Sequence, residues 1–216
     1  MPRISLPSPE SMTPEQRRVH DEIVSGPRGR IQGPLRAALH NAELASRWQA
    51  LGSLLRYRTS LTPRQSELAI LVTARACESP FEWYAHRLEA ERAGIEAEVI
   101  DAILERRTPP SLGEADALVY DFARALNETR SVDDDTYART LAHFGEKTVV
   151  ELTALVGYYT MVAMTLNAHE IPLPEGVAPA FALPQHRGGR APGGDAALRP
   201  APGPASGPAP GPGTPP

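Results

Sequence analysis

The chain has 216 residues, one cysteine and a formal net charge of −4, with acidic and basic residues interspersed. A single cysteine excludes an intramolecular disulfide and a multi-thiolate metal site, and the charge pattern lacks the basic stripe that nucleic-acid binding requires. Many of the 23 prolines lie in residues 181–216, which have almost no large apolar side chains. That composition predicts a disordered tail. It follows a flexible N-terminus at residues 1–11 and a globular domain at residues 12–180.

The sequence also bears on the compartment. Its first residues lack the basic-then-apolar order of a secretion signal. No apolar run approaches the roughly 20 residues of a membrane span. We therefore expect a cytoplasmic protein that binds neither a membrane nor nucleic acid.

The first half of the domain has clear helix start signals. Residues 13–16 read Thr-Pro-Glu-Gln, which supplies an N-cap, a proline at the first helical position and a capping-box partner. The same signal recurs as Thr-Pro-Arg-Gln at residues 62–65. Between them, the chain leaves the first helix near Gly26 through a loop rich in glycine and proline. A helical pattern resumes at Leu35, and Asn41 is a candidate N-cap within it.

The second half continues in helices. The helix that Thr62 opens is apolar on most faces, which predicts a central position. It must end at Ser79, because the residue before a proline is disfavoured in the α region, and the next helix runs to Gly94, a candidate αL cap. Further helices are predicted over EAEVIDAILER, EADALVYDFARALNET (started by Ser111), DDTYARTLAHFG (started by Ser131) and EKTVVELTALVGYYTMVAMTLNAHE. The prediction is an all-α domain of seven or eight helices.

Two of these helical regions resemble each other. ELAILV at Glu67 matches ELTALV at Glu151, and the match extends to His86 and His169, with separations of 19 and 18 residues. Such self-similarity indicates a duplicated helical unit. In the second copy, unbroken helix would separate the two groups by about 27 Å. In the first copy, the break at Ser79 lets the helix of His86 pack back across that of Glu67, so only this copy is a candidate site.

The candidate catalytic residues are Glu67, Glu82 and His86. Glu82 and His86 are one helical turn apart. In one hypothesis Glu82 orients the imidazole while His86 transfers a proton near neutral pH, and in the other they form a solvated ion pair. Glu67 lies in a mostly apolar helix and is expected to be partly buried, so it needs a partner. His86, Arg64 or Arg75 could be that partner, and a purely structural pair between two helices is the alternative.

The candidate substrate-binding residues surround this pair in sequence. Trp83 and Tyr84 could wall a pocket for a planar or cyclic substrate, although packing between helices is an alternative role, above all for Trp83. Arg75 could clamp a carboxylate in bidentate fashion, and Ser79 completes the set. The histidines and carboxylates show no metal-ligand spacing, so we expect neither a metal nor a cofactor.

With these residues identified, residues 12–175 resemble the carboxymuconolactone decarboxylase and alkylhydroperoxidase D superfamily. The resemblance lies in RQSELAILVTARACESPFEWYAHRLEAERAGI and in ELTALVGYYTMVAMTLNAHEIPLPEG. It implies an all-α fold of related helical units that assembles into trimers or hexamers. The peroxidase branch of that superfamily uses a Glu, a Cys-x-x-Cys pair and a His, which correspond here to Glu67, Ser79, Glu82 and His86. Both redox cysteines are therefore missing, and the decarboxylase-like branch fits better.

The function that follows is a carboxymuconolactone decarboxylase-like enzyme. It would perform cofactor-free acid–base chemistry, a decarboxylation or an isomerisation, on a small carboxylated metabolite, and it would be a homo-oligomer. One alternative is a peroxidase that works through Cys77, with an external thiol or a neighbouring subunit resolving the sulfenic acid. Cys77 is, however, most simply a buried small residue. Another alternative is a non-catalytic oligomeric binding protein in which EWYAH lies at an interface.

Overall fold

The computed structural model describes residues 2–26, 29–110 and 112–182. Within these ranges the chain forms eight helices and no strand, which confirms the all-α prediction. The helices are α1 (Pro14–Ser25), α2 (Pro34–Ala38), α3 (Ala42–Tyr57), α4 (Pro63–Ala76), α5 (Pro80–Arg92), α6 (Ala97–Leu104), α7 (Glu114–Thr129) and α8 (Asp134–Ala168).

Three predicted helix starts are confirmed in atomic detail. Thr13 and Thr62 each form a complete capping box, with Gln16 and Gln65 as the respective partners and a proline in the first turn. Asn41 caps α3 by accepting a hydrogen bond of 2.9 Å from a backbone N–H three residues on. These local signals work because a side-chain oxygen satisfies an N–H group that the helix itself leaves unpaired.

The last two helices begin differently from the prediction. The N-cap of α8 is Asp133, whose side chain accepts from Thr136 N at 2.9 Å, and not Ser131. The N-cap of α7 is Gly113, and Ser111 lies outside the described residues. The two helices predicted on either side of Gly145 run together as α8, with a break at that glycine, whose φ is 76°. Glycine tolerates this left-handed conformation because it has no Cβ.

Helix α4 lies at the centre of the domain, as predicted. Every residue from Gln65 to Ala74 is buried, and α4 packs against α5, α7 and α8. Helices α1, α2 and α3 pack together beside α8. A carboxylate on α4, such as Glu67, is therefore held inside the core, where it needs a partner.

Helix α8 is long and apolar enough to cross a membrane when judged by length and composition alone, which the sequence prediction did not anticipate. Half of its most apolar stretch is buried within the protein, and the helix packs against α2, α3, α4, α5 and α7. In this structure α8 is a core helix of the bundle, a role that accounts for its apolar character.

The segments that flank the bundle contact it. Residues of the predicted flexible N-terminus accept hydrogen bonds from the bundle: Arg36 donates to Leu6 O at 3.1 Å, and His40 donates to Ser5 O at 2.7 Å. At the other end, the ring of Phe181 lies edge-on to Trp83, with centroids 6.1 Å apart. Packed chain therefore extends to the first residue of the predicted tail, and residues 183–216 lie outside the described part.

Candidate functional site

A sharp turn between α4 and α5 builds the site. Helix α4 ends at Cys77 as its C-cap, Glu78 adopts a left-handed φ of 51°, and Ser79 is the N-cap of α5. Pro80 then begins α5, which packs back against α4. The predicted break at Ser79 is confirmed, and it brings residues 19 positions apart in sequence into contact.

His86 and Glu67 form a buried pair. His86 Nδ1 lies 2.7 Å from Glu67 Oε2, and both side chains are buried. A carboxylate only accepts hydrogen bonds, so this contact assigns the proton to Nδ1 and leaves Nε2 able to exchange a proton. The ring of Tyr159, on α8, lies edge-on to the imidazole at a centroid distance of 4.8 Å. Of the three partners considered for Glu67, His86 is the one that binds it.

The predicted pairing of Glu82 with His86 is wrong. Helical spacing does put both residues on one side of α5, but the imidazole reaches across to α4 and pairs with Glu67. Glu82 is 1% exposed, and neither carboxyl oxygen has a hydrogen-bond partner among the described residues. Burial raises the pKa of Glu82 well above its ordinary value. The group is thus held towards its neutral form, as a carboxylic acid that can donate a hydrogen bond.

Glu82 belongs to a buried polar face of α5. Ser79, Glu82, Trp83 and His86 follow the spacing that places residues on one side of a helix, and all four are buried. Ser79 Oγ and Trp83 Nε1, like the Glu82 carboxyl, have no hydrogen-bond partner in the ranges that the structure describes. Buried polar groups are nearly always paired, so this concentration of unsatisfied groups calls for a bound water or ligand as partner.

Two arginines near the site differ in role. Arg56, on α3, lies 3.7 Å from Glu67 Oε1 and 3.8 Å from Glu89 Oε1, so it places positive charge beside the buried pair. No sequence pattern singled out Arg56 for this position. Arg64 instead binds Glu96 and Asp116, each at 2.6 Å. These ion pairs connect α4 to the start of α6 and to α7.

The remaining predicted residues lie at the edge of this site or away from it. Tyr84 is half-buried, whereas Trp83 is buried against Phe181 and contributes to the core. Arg75 does not reach Glu67 and lines a cavity elsewhere in the domain. Glu151, in the second copy of the repeat, accepts a hydrogen bond from Ser60 N at 2.7 Å.

Cys77 lies in a setting that disfavours the thiolate. Its Sγ is 3.9 Å from Asn127 Oδ1, and burial raises the pKa of the thiol. Reactive cysteines need a lowered pKa and an electropositive environment. No group of three or more histidine, cysteine or acidic side chains in the described ranges could hold a metal ion.

The fold is that of the alkylhydroperoxidase D-like proteins. The structure superposes on an uncharacterized peroxidase-related protein from Silicibacter sp. TM1040 with a TM-score of 0.67 and 15% identity, over 79% of this chain and 91% of that one. It also superposes on the debrominase Bmp8 in complex with 2,3,4-tribromopyrrole, with a TM-score of 0.66 and 13% identity, over 80% and 91% of the two chains. At these identities, the likeness shows a shared all-α architecture.

Sequence comparison gives the family. The model of the carboxymuconolactone decarboxylase family matches residues 42–125, from α3 into α7. The uncharacterized protein YnjA of Escherichia coli (strain K12) is 31% identical over 124 residues, which cover 56% of this chain and 68% of that protein. The chain therefore belongs to the carboxymuconolactone decarboxylase family, as its resemblance predicted.

Proposed function

We propose that the protein is a cofactor-free acid–base enzyme that decarboxylates or isomerises a small carboxylated metabolite. The observation that supports this most is the combination, on one buried face of α5, of a Glu67-bound imidazole and an unpartnered carboxylic acid, Glu82. Two titratable groups whose environments differ in this way can divide the acid and base roles of a reaction.

His86 moves the proton in this proposal. In a decarboxylation, the bond between the carboxylate carbon and its neighbour breaks, carbon dioxide leaves and the electron pair remains in an enolate. His86, protonated on both nitrogens, gives its Nε2 proton to the carbon and returns to the neutral form. Glu67 holds Nδ1 at 2.7 Å throughout. In an isomerisation, Nε2 removes a proton from one carbon and returns it to another.

Glu82 stabilises the intermediate. Because burial keeps the carboxyl neutral, its O–H can donate to the enolate oxygen without adding a like charge. Ser79 Oγ, which is also buried and unpartnered within the described segments, is a second donor on the same face. The substrate would thus supply the hydrogen-bond partners that these groups lack.

Deuterium exchange tests the proposal. Small carboxylates with a C–H next to a carbonyl would be incubated with the full chain in deuterated water, and label uptake would be followed by NMR alongside release of carbon dioxide. For a substrate found in this way, His86→Gln should lower turnover by about 100- to 10,000-fold, the usual contribution of general acid–base catalysis. Unchanged turnover would show the assignment to be wrong.

A matched control is available on the same helix. Glu91 is exposed and pairs with Arg87 at 3.0 Å through i,i+4 spacing. Glu91→Gln should keep full turnover, whereas Glu82→Gln should lose it, because an amide is a weaker donor to an enolate than a carboxylic acid.

A Cys77 peroxidase is the weaker alternative. The raised pKa of the thiol opposes it, although one structural neighbour is described as peroxidase-related. Undiminished peroxide consumption by a Cys77→Ser protein would rule out this peroxidase alternative.

We also propose that the protein is a cytoplasmic homo-oligomer. Large apolar side chains are exposed on α3 and on the neighbouring α8: Leu44, Leu51, Leu54, Tyr57, Met161 and Met164. Exposed large apolar side chains on two neighbouring helices support a subunit interface there, and light scattering after size exclusion would give the number of subunits. The non-catalytic alternative, in which EWYAH lies at an interface, would be refuted by turnover of an identified substrate.

A further inference from the structure

A cavity lies away from the Glu67–His86 pair, between the C-terminal end of α4, the segment after α6, and α7. Its volume is about 330 Å³, which is within the range of small-molecule sites. We call it the arginine cavity, because four arginines line it together with one glutamate: Arg75, Arg106, Arg107, Arg124 and Glu128.

Arginines outnumber acidic residues four to one in the lining of this cavity, and carboxylates outside the lining pair with some of these arginines. Three of the arginines have carboxylate partners, since Arg106 binds Glu78 at 2.9 Å, Arg107 binds Glu105 at 2.6 Å and Arg124 binds Glu128 at 3.2 Å. All three pairs are well exposed. Exposed ion pairs are weak, so these guanidinium groups can exchange their partners for a ligand at little cost.

Arg75 is held in place without an acidic partner. Its Nε–H donates to Leu104 O at 2.7 Å, and its guanidinium lies over the ring of Phe181 at 4.6 Å. It forms no ion pair with any residue that the structure describes. Burial and then the charge of Arg106 lower the pKa of Arg75, while Glu78 offsets this in part. These contacts fix the orientation of the Arg75 guanidinium, whose remaining N–H groups can bind an anionic ligand.

We propose that the arginine cavity binds a small anion that carries two or more carboxylate or phosphate charges. Planar guanidinium groups bind both kinds of anion in bidentate fashion, and a multiply charged ligand would relieve the repulsion between Arg75 and Arg106. Tyr120 and Thr108 add hydroxyl groups to the wall. This site does not depend on the proposed acid–base chemistry, since neither Glu67 nor His86 lines it.

Calorimetric titration of the full chain tests the site. Citrate, inorganic phosphate and acetate would be titrated at constant ionic strength, with sodium chloride as the control. Saturable binding of phosphate without citrate would support a phosphate ester as the ligand, and binding of citrate without phosphate would support a polycarboxylate. Heats from citrate and phosphate that do not exceed those of sodium chloride would overturn the proposal.

Two matched variants locate the binding. Arg124 and Arg47 both form i,i+4 pairs with a glutamate on an exposed helix surface, but only Arg124 lines the cavity. Arg124→Gln should lower the affinity for the anion about tenfold or more, as expected for loss of a charged hydrogen bond, while Arg47→Gln should leave the affinity unchanged. Equal weakening by both variants would show that the anion merely responds to net charge.

Arg75→Gln extends this test to the centre of the cavity. It should weaken binding at least as much as Arg124→Gln, provided that circular dichroism shows the variant to be folded. His86→Gln should leave anion binding unchanged, because His86 lies outside the cavity. Loss of binding in His86→Gln would contradict the separation of the two sites.

Discussion

Replacement of Glu82 should make the protein more stable at neutral pH. The carboxyl is buried with no hydrogen-bond partner in the described residues, and its burial raises its pKa well above the ordinary value of 4.5. Glu82→Met removes the unsatisfied group and keeps a side chain of similar length. We expect this variant to gain about 1–3 kcal/mol in free energy of unfolding below about pH 4.5, where the carboxyl is neutral in both states, since that is the usual cost of a buried unpaired polar group. The gain should be larger at neutral pH.

The effect should depend on pH in a defined direction. Above about pH 4.5 the unfolded chain loses the proton of Glu82, whereas the folded protein keeps it. The folded state then binds more protons, so its stability falls as pH rises, by about 1.4 kcal/mol per pH unit, until the folded pKa is reached. Below about pH 4.5 Glu82 is protonated in both states, and its titration no longer lowers the stability of the folded protein. Glu82→Gln does not titrate, so its stability relative to wild type should increase across the window.

Urea unfolding followed by far-UV circular dichroism at several pH values measures this difference. Glu91→Gln, an exposed change on the same helix, should stay parallel to wild type. A constant difference between Glu82→Gln and wild type, or a strong loss of stability in Glu82→Met, would show that the carboxyl has a partner. The inference that it is a neutral buried acid would then fail.

Three further changes test other parts of the structure. Thr62→Ala removes the side-chain half of a capping box and should lower the free energy of unfolding by about 1 kcal/mol. Glu67→Ala leaves the imidazole of His86 buried without its carboxylate and should cost about 3 kcal/mol; a loss no larger than that of Thr62→Ala would contradict a buried pair. Gly33→Ala would put a Cβ 2.8 Å from the ring of Phe81 at a φ of 51° and should cost about 2 kcal/mol, so an unchanged melting temperature would argue against this geometry.

The parts of the fold that were predicted correctly depend on local chemistry. The capping boxes at Thr13 and Thr62 and the break at Ser79 each involve residues within one turn of each other. The start of α8 was missed because Ser131 and Asp133 are both good N-caps. Ser131 instead lies in the turn after α7, where its backbone oxygen accepts from Thr129 Oγ1 at 2.8 Å and its N–H donates to Thr129 Oγ1 at 3.3 Å.

The candidate site was predicted less completely, since its partners come from different helices. The sequence identified Glu67, Glu82 and His86, but helical spacing could not show which carboxylate His86 would bind. That choice depends on how α5 crosses α4. Arg56 and Tyr159 reach the pair from α3 and α8, and no local pattern distinguishes either residue from its neighbours.

The family resemblance predicts that two positions on α5 correspond to the redox cysteines of the peroxidase branch. They are occupied by Ser79 and Glu82, which lie on the buried face of α5 with His86 and whose side-chain oxygens have no hydrogen-bond partners in the described chain. A hydroxyl and a carboxyl cannot form the disulfide that thiol-based peroxide reduction needs. They can donate hydrogen bonds to an oxyanion, and a buried, neutral carboxyl does so without electrostatic repulsion. The same backbone positions would then serve proton transfer in place of thiol chemistry. The free energy of unfolding gained in Glu82→Met would measure how much the buried carboxyl destabilises the folded protein.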